Sequence, residues 1–279
     1  MIKRVLSAIV FTVLMLAGII LQGWAMLALL GAFMLIATHE MYQALKNCGM
    51  HPVQWTGYAF CILALAAHIL SGTEMALMMC SAGMILGMAA VVCKGKVAVQ
   101  DMIGTILPIM YPGVFFVLLL SLINLENRAV CTVAFVLAFF SASINDVFAL
   151  FSGLLFGKHK LSPEISPKKT IEGSIGGIIF CTIFTVAIPA LAKLVFSFDP
   201  AFAAQMELLP PVWCFIPLGI LLSLLSQVGD LTASMIKRHC GIKDFGKLMP
   251  GHGGIMDRLD GVLFCGAVCA IFFRLIGLG

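Results

Sequence analysis

The sequence predicts an all-α integral membrane protein, a polytopic bundle of about nine transmembrane helices with its N-terminus in the cytoplasm. Three observations predict it. Hydrophobic residues make up 61% of the 279 positions and charged residues 11%, against roughly 25% charged in a soluble domain. The apolar residues fall into runs of the ~20 residues that a helix needs to cross a bilayer core. The basic residues collect on alternate sides of those runs, as the positive-inside rule requires.

The runs lie near 5–22, 24–43, 55–71, 74–93, 103–123, 129–152, 173–196, 211–232 and 258–277. Only Gln22 and Gly23 separate the first two, so these should form a tight helical hairpin. Lys3 and Arg4 before an apolar stretch resemble a signal peptide, but no small-residue cleavage site follows, and the segment reads as the first span. With the N-terminus inside, the cytoplasmic segments hold Lys3, Arg4, Lys46, Lys94, Lys96, Lys158, Lys160, Lys168, Lys169, Lys237, Arg238, Lys243, Lys247 and Arg258, 14 of the 17 Lys and Arg. Arg128, Lys193 and Arg274 fall near the outer side. The net charge of +4 is then an orientation bias and not a nucleic-acid footprint. Residues 1–100 carry about four helices. Residues 101–279 carry the rest, with two long polar segments, 153–172 and 233–257, on the cytoplasmic side. The ten cysteines lack zinc or disulfide spacing and read as small hydrophobes. Gly83 with Gly87, and Gly173 with Gly177, have the spacing of close helix packing within the monomer, a homodimer seam being the alternative.

The eighth run carries the chemistry. Ser223, Gln227, Asp230, Ser234 and Lys237 recur at spacings of four, three, four and three, which sets them on one helical face opposite Leu221, Leu222, Leu224, Leu225 and Val228. A polar stripe of this kind lines a wet, protein-enclosed cavity, and Asp230 at membrane depth is a functional candidate. Next comes KDFGKLMPGHGGIMDRLDG from Lys243 to Gly261. Its Pro250, Gly251, Gly253 and Gly254 make a loop that lets backbone approach a ligand closely. His252 in that loop is a phosphate-binding candidate. Asp257 and Asp260, three apart on a starting helix, present two carboxylates on one side. Three aspartates in one cavity repel unless a hard cation lies between them. Mg²⁺ suits such oxygens and bridges to phosphates, with the number of cations left open.

In the other polar segment, Ser166 and Pro167 form an N-cap and first-turn pair. Lys168, Lys169 and Thr170 would then occupy a helix's first turn, where free N–H groups attract anions. GLLFGKH from Gly153 is one residue short of a Walker A loop and has His159 where Ser or Thr should stand, which excludes a P-loop kinase or ATPase. Asn145 and Asp146, polar in an apolar run, suggest a cavity wall. Glu40, beside His39, reads as a snorkelling or paired carboxylate near the end of the second helix.

The stretch from Ser234 to Asp260, SMIKRHCGIKDFGKLMPGHGGIMDRLD, resembles the signature of the phosphatidate cytidylyltransferase (CDP-diacylglycerol synthase) family. The signature runs Ser, Lys-Arg, Lys-Asp, Pro-Gly-His-Gly-Gly, Asp-Arg and Asp, and every fixed position is met here. Asp146, Ala149, Gly153, Gly157, Lys158 and the SPKKT-EG stretch resemble the family too. Val147 and Phe148 depart from it, standing where members usually show Thr-Gly. The first 100 residues match in hydropathy and not in motif. The resemblance implies that CTP and phosphatidic acid give CDP-diacylglycerol and pyrophosphate at the cytoplasmic face of a bacterial inner membrane, with no nucleic-acid partner. It also implies Asp230 and Asp257 as Mg²⁺ ligands with Asp260 completing the site, and Lys168, Lys169, Lys237 and Arg258 as phosphate holders. Asp146, Lys158, Ser166, Thr170, Arg238, Lys243, His252, Gly253 and Gly254 fill out the implied substrate site. A transporter of a phosphorylated metabolite is the competing reading. It would favour midplane charges in paired, interrupted helices, whereas these charges cluster at one side.

Overall fold

The computed structural model describes residues 2–95, 99–125, 127–195, 200–249, 251 and 253–278, with side chains from residue 7 onward apart from 195 and 201. The chain is an all-α polytopic membrane protein, with one small β-hairpin among the described residues. Among the described residues, seven helical segments are long and apolar enough to cross a membrane. Contacts gather the chain into two compact units, Met1–Ile123 with Ile236–Leu259, and Asn124–Met235 with Asp260–Gly279.

In the first unit, α1 (Ile2–Leu21) and α2 (Gly23–Asn47) are separated by Gln22 alone. Gln22 and Gly23 both take positive φ, 53° and 48°, and Gly18 then faces Met26 and Leu29, so the expected hairpin forms. α3 (Gln54–Ser71) and α4 (Thr73–Cys93) follow. Gly83 packs on Phe60 and Gly87 on Thr105, so this glycine pair serves packing within the chain. The run expected to be one helix over 103–123 is broken. α5 (Val99–Pro108) ends at a proline, Tyr111 leaves helical geometry at φ −137° and ψ 109°, and α6 (Phe115–Ser121) resumes. Pro112, which has no N–H to donate, sits in the break. Tyr42, Phe60 and Phe116 are fully buried in this unit.

In the second unit, α7 (Arg128–Phe156) leads into β1 (Lys160–Ser162) and β2 (Ser166–Thr170), an antiparallel pair with Lys160 opposite Thr170 and Ser162 opposite Ser166. α8 (Ile171–Val195) and the short α9 (Pro200–Met206) follow. α10 (Phe215–His239) belongs to this unit except for its last turn, and α11 (Met256–Leu275) except for its first. Asp257, Arg258 and Asp260 open α11 and Arg274 lies near its end, a charge load that sets it apart from the seven apolar segments. Gly173 and Gly177 of α8 lie against Ala149 and Asn145 of α7, which places this second glycine pair inside the monomer as well.

Ser166 does not cap a helix. Residues 166–170 pair with β1, and α8 begins only at Ile171. Thr170 takes the capping role instead, its Oγ1 accepting the Gly173 N–H at 3.1 Å, the N-cap to N3 geometry. Lys168 and Lys169 are therefore strand residues, and the expectation that a helix's first turn would present them to an anion is overturned.

Candidate active site

The second unit contains a cavity of about 590 Å³. Its wall is built where α7 and α8 approach closely. Gly153 lies 3.7 Å by a would-be Cβ from the Gly173 Cα, and Gly153, Gly157 and Gly173 all close around the Thr170 side chain. Asn145 at the base is fully buried. Its Oδ1 accepts from Ser223 Oγ at 2.6 Å and from Gln227 Nε2 at 3.2 Å, while Ser174 Oγ donates to Gln227 Oε1 at 2.5 Å. These bonds explain why Ser223 and Gln227 recur on one face of α10: they meet polar groups of α7 and α8, so none faces lipid.

One helical turn further along α10, Asp230 forms an ion pair with Lys169 of β2. Both side chains are about a quarter exposed, 26% and 25%. The Lys169 Nζ is itself shielded from solvent, with Asp230 as its charged partner, so an incoming phosphate must replace that carboxylate to take the lysine. The cavity is also lined by Asp146, Lys160, Ser166, Lys168 and Thr170, and by the exposed apolar side chains of Leu150 and Leu154. Lys160 and Ser174 were not singled out by sequence. Only the hairpin register opposite Thr170 and the closure of α8 on α10 bring them there. Lys158 lies outside the lining. Its backbone N–H and that of His159 donate to the Glu172 carboxylate at 3.0 and 3.2 Å, and His159 Nδ1 meets Glu172 at 2.6 Å, which clasps the hairpin ends together. Asp260, half-buried, belongs to this unit but not to the cavity wall, and its Oδ1 accepts the Gly261 N–H at 2.8 Å.

The first unit holds the remaining group. Asp257 is 4% exposed. Its Oδ1 accepts from Lys237 Nζ at 2.9 Å, and its Oδ2 accepts from the backbone N–H groups of Phe245 at 2.7 Å and Gly254 at 2.9 Å. Lys237 is also held 5.4 Å above the Phe245 ring. The glycine loop is shaped for this. Gly253 has φ +85°, and an added Cβ there would sit 2.6 Å from Asp257 Oδ2, so both conformation and space require glycine. The Met249 N–H donates to Gly253 O at 2.9 Å, closing the turn. Arg238, Lys243 and Arg258 are exposed. His252 lies outside the described residues.

Among the described residues, no three His, Cys, Asp or Glu side chains gather closely enough to hold a metal ion. Asp230 and Asp257 are oxygen donors of the kind a hard cation takes, but each is already paired with an ammonium, Lys169 or Lys237, and Asp257 accepts two backbone N–H groups besides.

The profile of the cytidylyltransferase family matches residues 2–276. The chain belongs to the cytidylyltransferase family. Among its curated relatives are phosphatidate cytidylyltransferases of Staphylococcus saprophyticus, 36% identical over 174 residues, and Staphylococcus aureus, 37% identical over 174 residues. Each match covers 62% of this chain and 60% of the relative. The phosphatidate cytidylyltransferase of Thermotoga maritima is 38% identical over 141 residues, 49% of this chain and 47% of the relative. The matches thus cover between about half and 60% of the length of these cytidylyltransferases.

Proposed function

We propose that this protein is a phosphatidate cytidylyltransferase, joining CTP and phosphatidic acid to give CDP-diacylglycerol and pyrophosphate. The supporting observation is the amphiphilic cavity, in which Lys160, Lys168 and Lys169 stand with Asp230 beside the exposed Leu150 and Leu154. Such a wall suits a phosphate that is carried on a lipid. The lipid enters from the bilayer side and CTP from the cytosol, under the N-inside orientation that the basic residues favour.

In the reaction, an oxygen of the phosphatidate monoester forms a bond to the α-phosphorus of CTP. The bond from that phosphorus to the bridging oxygen breaks, and pyrophosphate leaves with the electron pair. The monoester is largely dianionic near neutral pH, so the nucleophile needs no strong general base. The protein's part is alignment and charge neutralisation. Lys169 exchanges Asp230 for a phosphate of the triphosphate, and Lys168 and Lys160 extend the cationic wall. The buried Asn145–Ser223–Gln227–Ser174 network keeps α7, α8 and α10 in fixed register beneath it. Mg²⁺, if bound at the Asp230 carboxylate on the cavity wall, would offset charge on the triphosphate.

The test is pyrophosphate release by purified protein in detergent, with product lipid followed by mass spectrometry. Release should require both CTP and phosphatidic acid, vanish with EDTA and return with Mg²⁺. Release without phosphatidic acid, or none with it, overturns the assignment. Indifference to chelation overturns the metal part alone.

A further inference from the structure

The loop that holds Asp257 is anchored by a residue from the far end of the sequence. Glu40, two turns before the end of α2, is only 6% exposed. Its Oε1 accepts the Ile255 N–H at 3.2 Å and its Oε2 accepts the Met256 N–H at 2.9 Å. Those are amides at the opening of α11, where a helix has unsatisfied donors and favours negative charge. Neither Gly254 nor Ile255 has a side-chain oxygen to cap it, and Glu40 does so from 215 positions away. Glycine is also required on both flanks of the carboxyl group: a Cβ added at Gly246 or at Gly254 would run into the Glu40 carboxyl atoms. These are the neighbours of the groups that fix Asp257, since the Phe245 and Gly254 N–H groups both donate to Asp257 Oδ2.

We infer that Glu40 is a positioning residue for the reaction, and so rests on the activity proposed above: it locks the glycine loop so that Asp257 is held in one orientation against Lys237. This gives the N-terminal helices a task in catalysis that their sequence does not display. Groups that fix a reacting carboxylate from behind set its geometry as tightly as the carboxylate's own packing does.

Glu40→Gln keeps the shape and replaces one acceptor by an NH₂ that faces a backbone N–H. Hydrogen–deuterium exchange on detergent-purified protein should show peptides spanning 245–256 exchanging roughly tenfold faster, the expected scale for losing a bond to a buried charged group. Peptides of α7 and α8 should exchange as in wild type. Turnover should fall about tenfold or more, with the KM for CTP moving less than about threefold, since the loss lies in orientation. In an Asp257→Asn background the same change should cost less than about twofold more, because two residues acting through one group are not additive. Gly246→Ala leaves Glu40 in the chain but puts a methyl where its carboxyl sits, and should reproduce the faster loop exchange. It decides the matter if Glu40→Gln does not fold. Unchanged loop exchange in both variants, normal turnover in Glu40→Gln, or losses that multiply in the double variant overturn the inference. Wild-type protein that makes no CDP-diacylglycerol overturns the activity instead, and the exchange data still decide whether Glu40 holds the loop.

Discussion

Two lysine–aspartate pairs stand in the two units of this molecule, and they are built for different work. Lys169 and Asp230 meet at the wall of the cavity with about a quarter of each side chain open, at 25% and 26%. Lys237 and Asp257 are 13% and 4% exposed, and Asp257 accepts two backbone N–H groups besides the lysine. The first pair is held by mutual charge with the Lys169 ammonium shielded from solvent, so it opens only to a ligand that replaces the carboxylate. The second is buried and saturated, so opening it strands a buried ammonium and two amides. The same two residue types therefore make a pair at a cavity wall in one unit and a buried, backbone-held pair in the other. Burial and backbone partners decide which.

The largest expected effect breaks or confirms this contrast. Asp257→Asn and Asp230→Asn should each lower turnover by about a hundredfold or more, the order seen when a preorganised charged group is lost. Asp257→Asn should loosen the fold the more of the two, by about 3 kcal/mol, because Lys237 loses its carboxylate and two backbone N–H groups lose a charged acceptor. The thermal midpoint in detergent reads the difference. An Asp257→Asn protein that melts like wild type, or an Asp230→Asn protein that melts as early as Asp257→Asn, would end the distinction.

A smaller effect sharpens the open pair. Lys169→Met removes the cation from the cavity wall and leaves Asp230 to water. The kcat/KM for CTP should fall about tenfold, the scale of one charge-assisted hydrogen bond, while the KM for phosphatidic acid changes little. Steady-state kinetics with each substrate varied in turn separates the two. Equal losses for both substrates would return the hairpin to an ordinary positive-inside loop.

How much of this was legible follows the range of the interactions. The helices were legible because ~20 apolar residues in a row admit few alternatives in a membrane, and the α10 stripe was legible because its spacing is local. The signature from Ser234 to Asp260 carried the family on its own. The break at Pro112 was visible in the residue type but was absorbed into a long apolar run. The SPKKT segment misled: Ser-Pro is a sound local N-cap, yet pairing of Ser166–Thr170 with Lys160–Ser162 won, and Thr170 took the cap. Glu40 showed only that a carboxylate in an apolar helix needs a partner. Its partners lie 215 and 216 residues on, where no local pattern reaches. Ser174 and Lys160 escaped for the same reason, since each reaches the cavity wall only through what the fold brings beside it.

The smallest expected effect tests that replaced cap, and with it the hairpin that carries Lys169. Thr170 Oγ1 accepts the Gly173 N–H at 3.1 Å, and Gly153, Gly157 and Gly173 crowd its side chain. Thr170→Val keeps the branched shape in that tight space and removes only the oxygen, leaving one first-turn N–H of α8 without its acceptor. An N-cap of this type contributes about 1 kcal/mol, so the thermal midpoint in detergent should fall slightly, well short of the Asp257→Asn drop. Lys169 and Asp230 keep their chemistry, and kcat/KM for CTP should fall no more than about threefold, since the hairpin is loosened and not dismantled. A tenfold loss in kcat/KM with an unmoved midpoint would assign the Thr170 hydroxyl to the substrate and not to the helix. Thr170, already part of the cavity lining, would then contact the ligand directly.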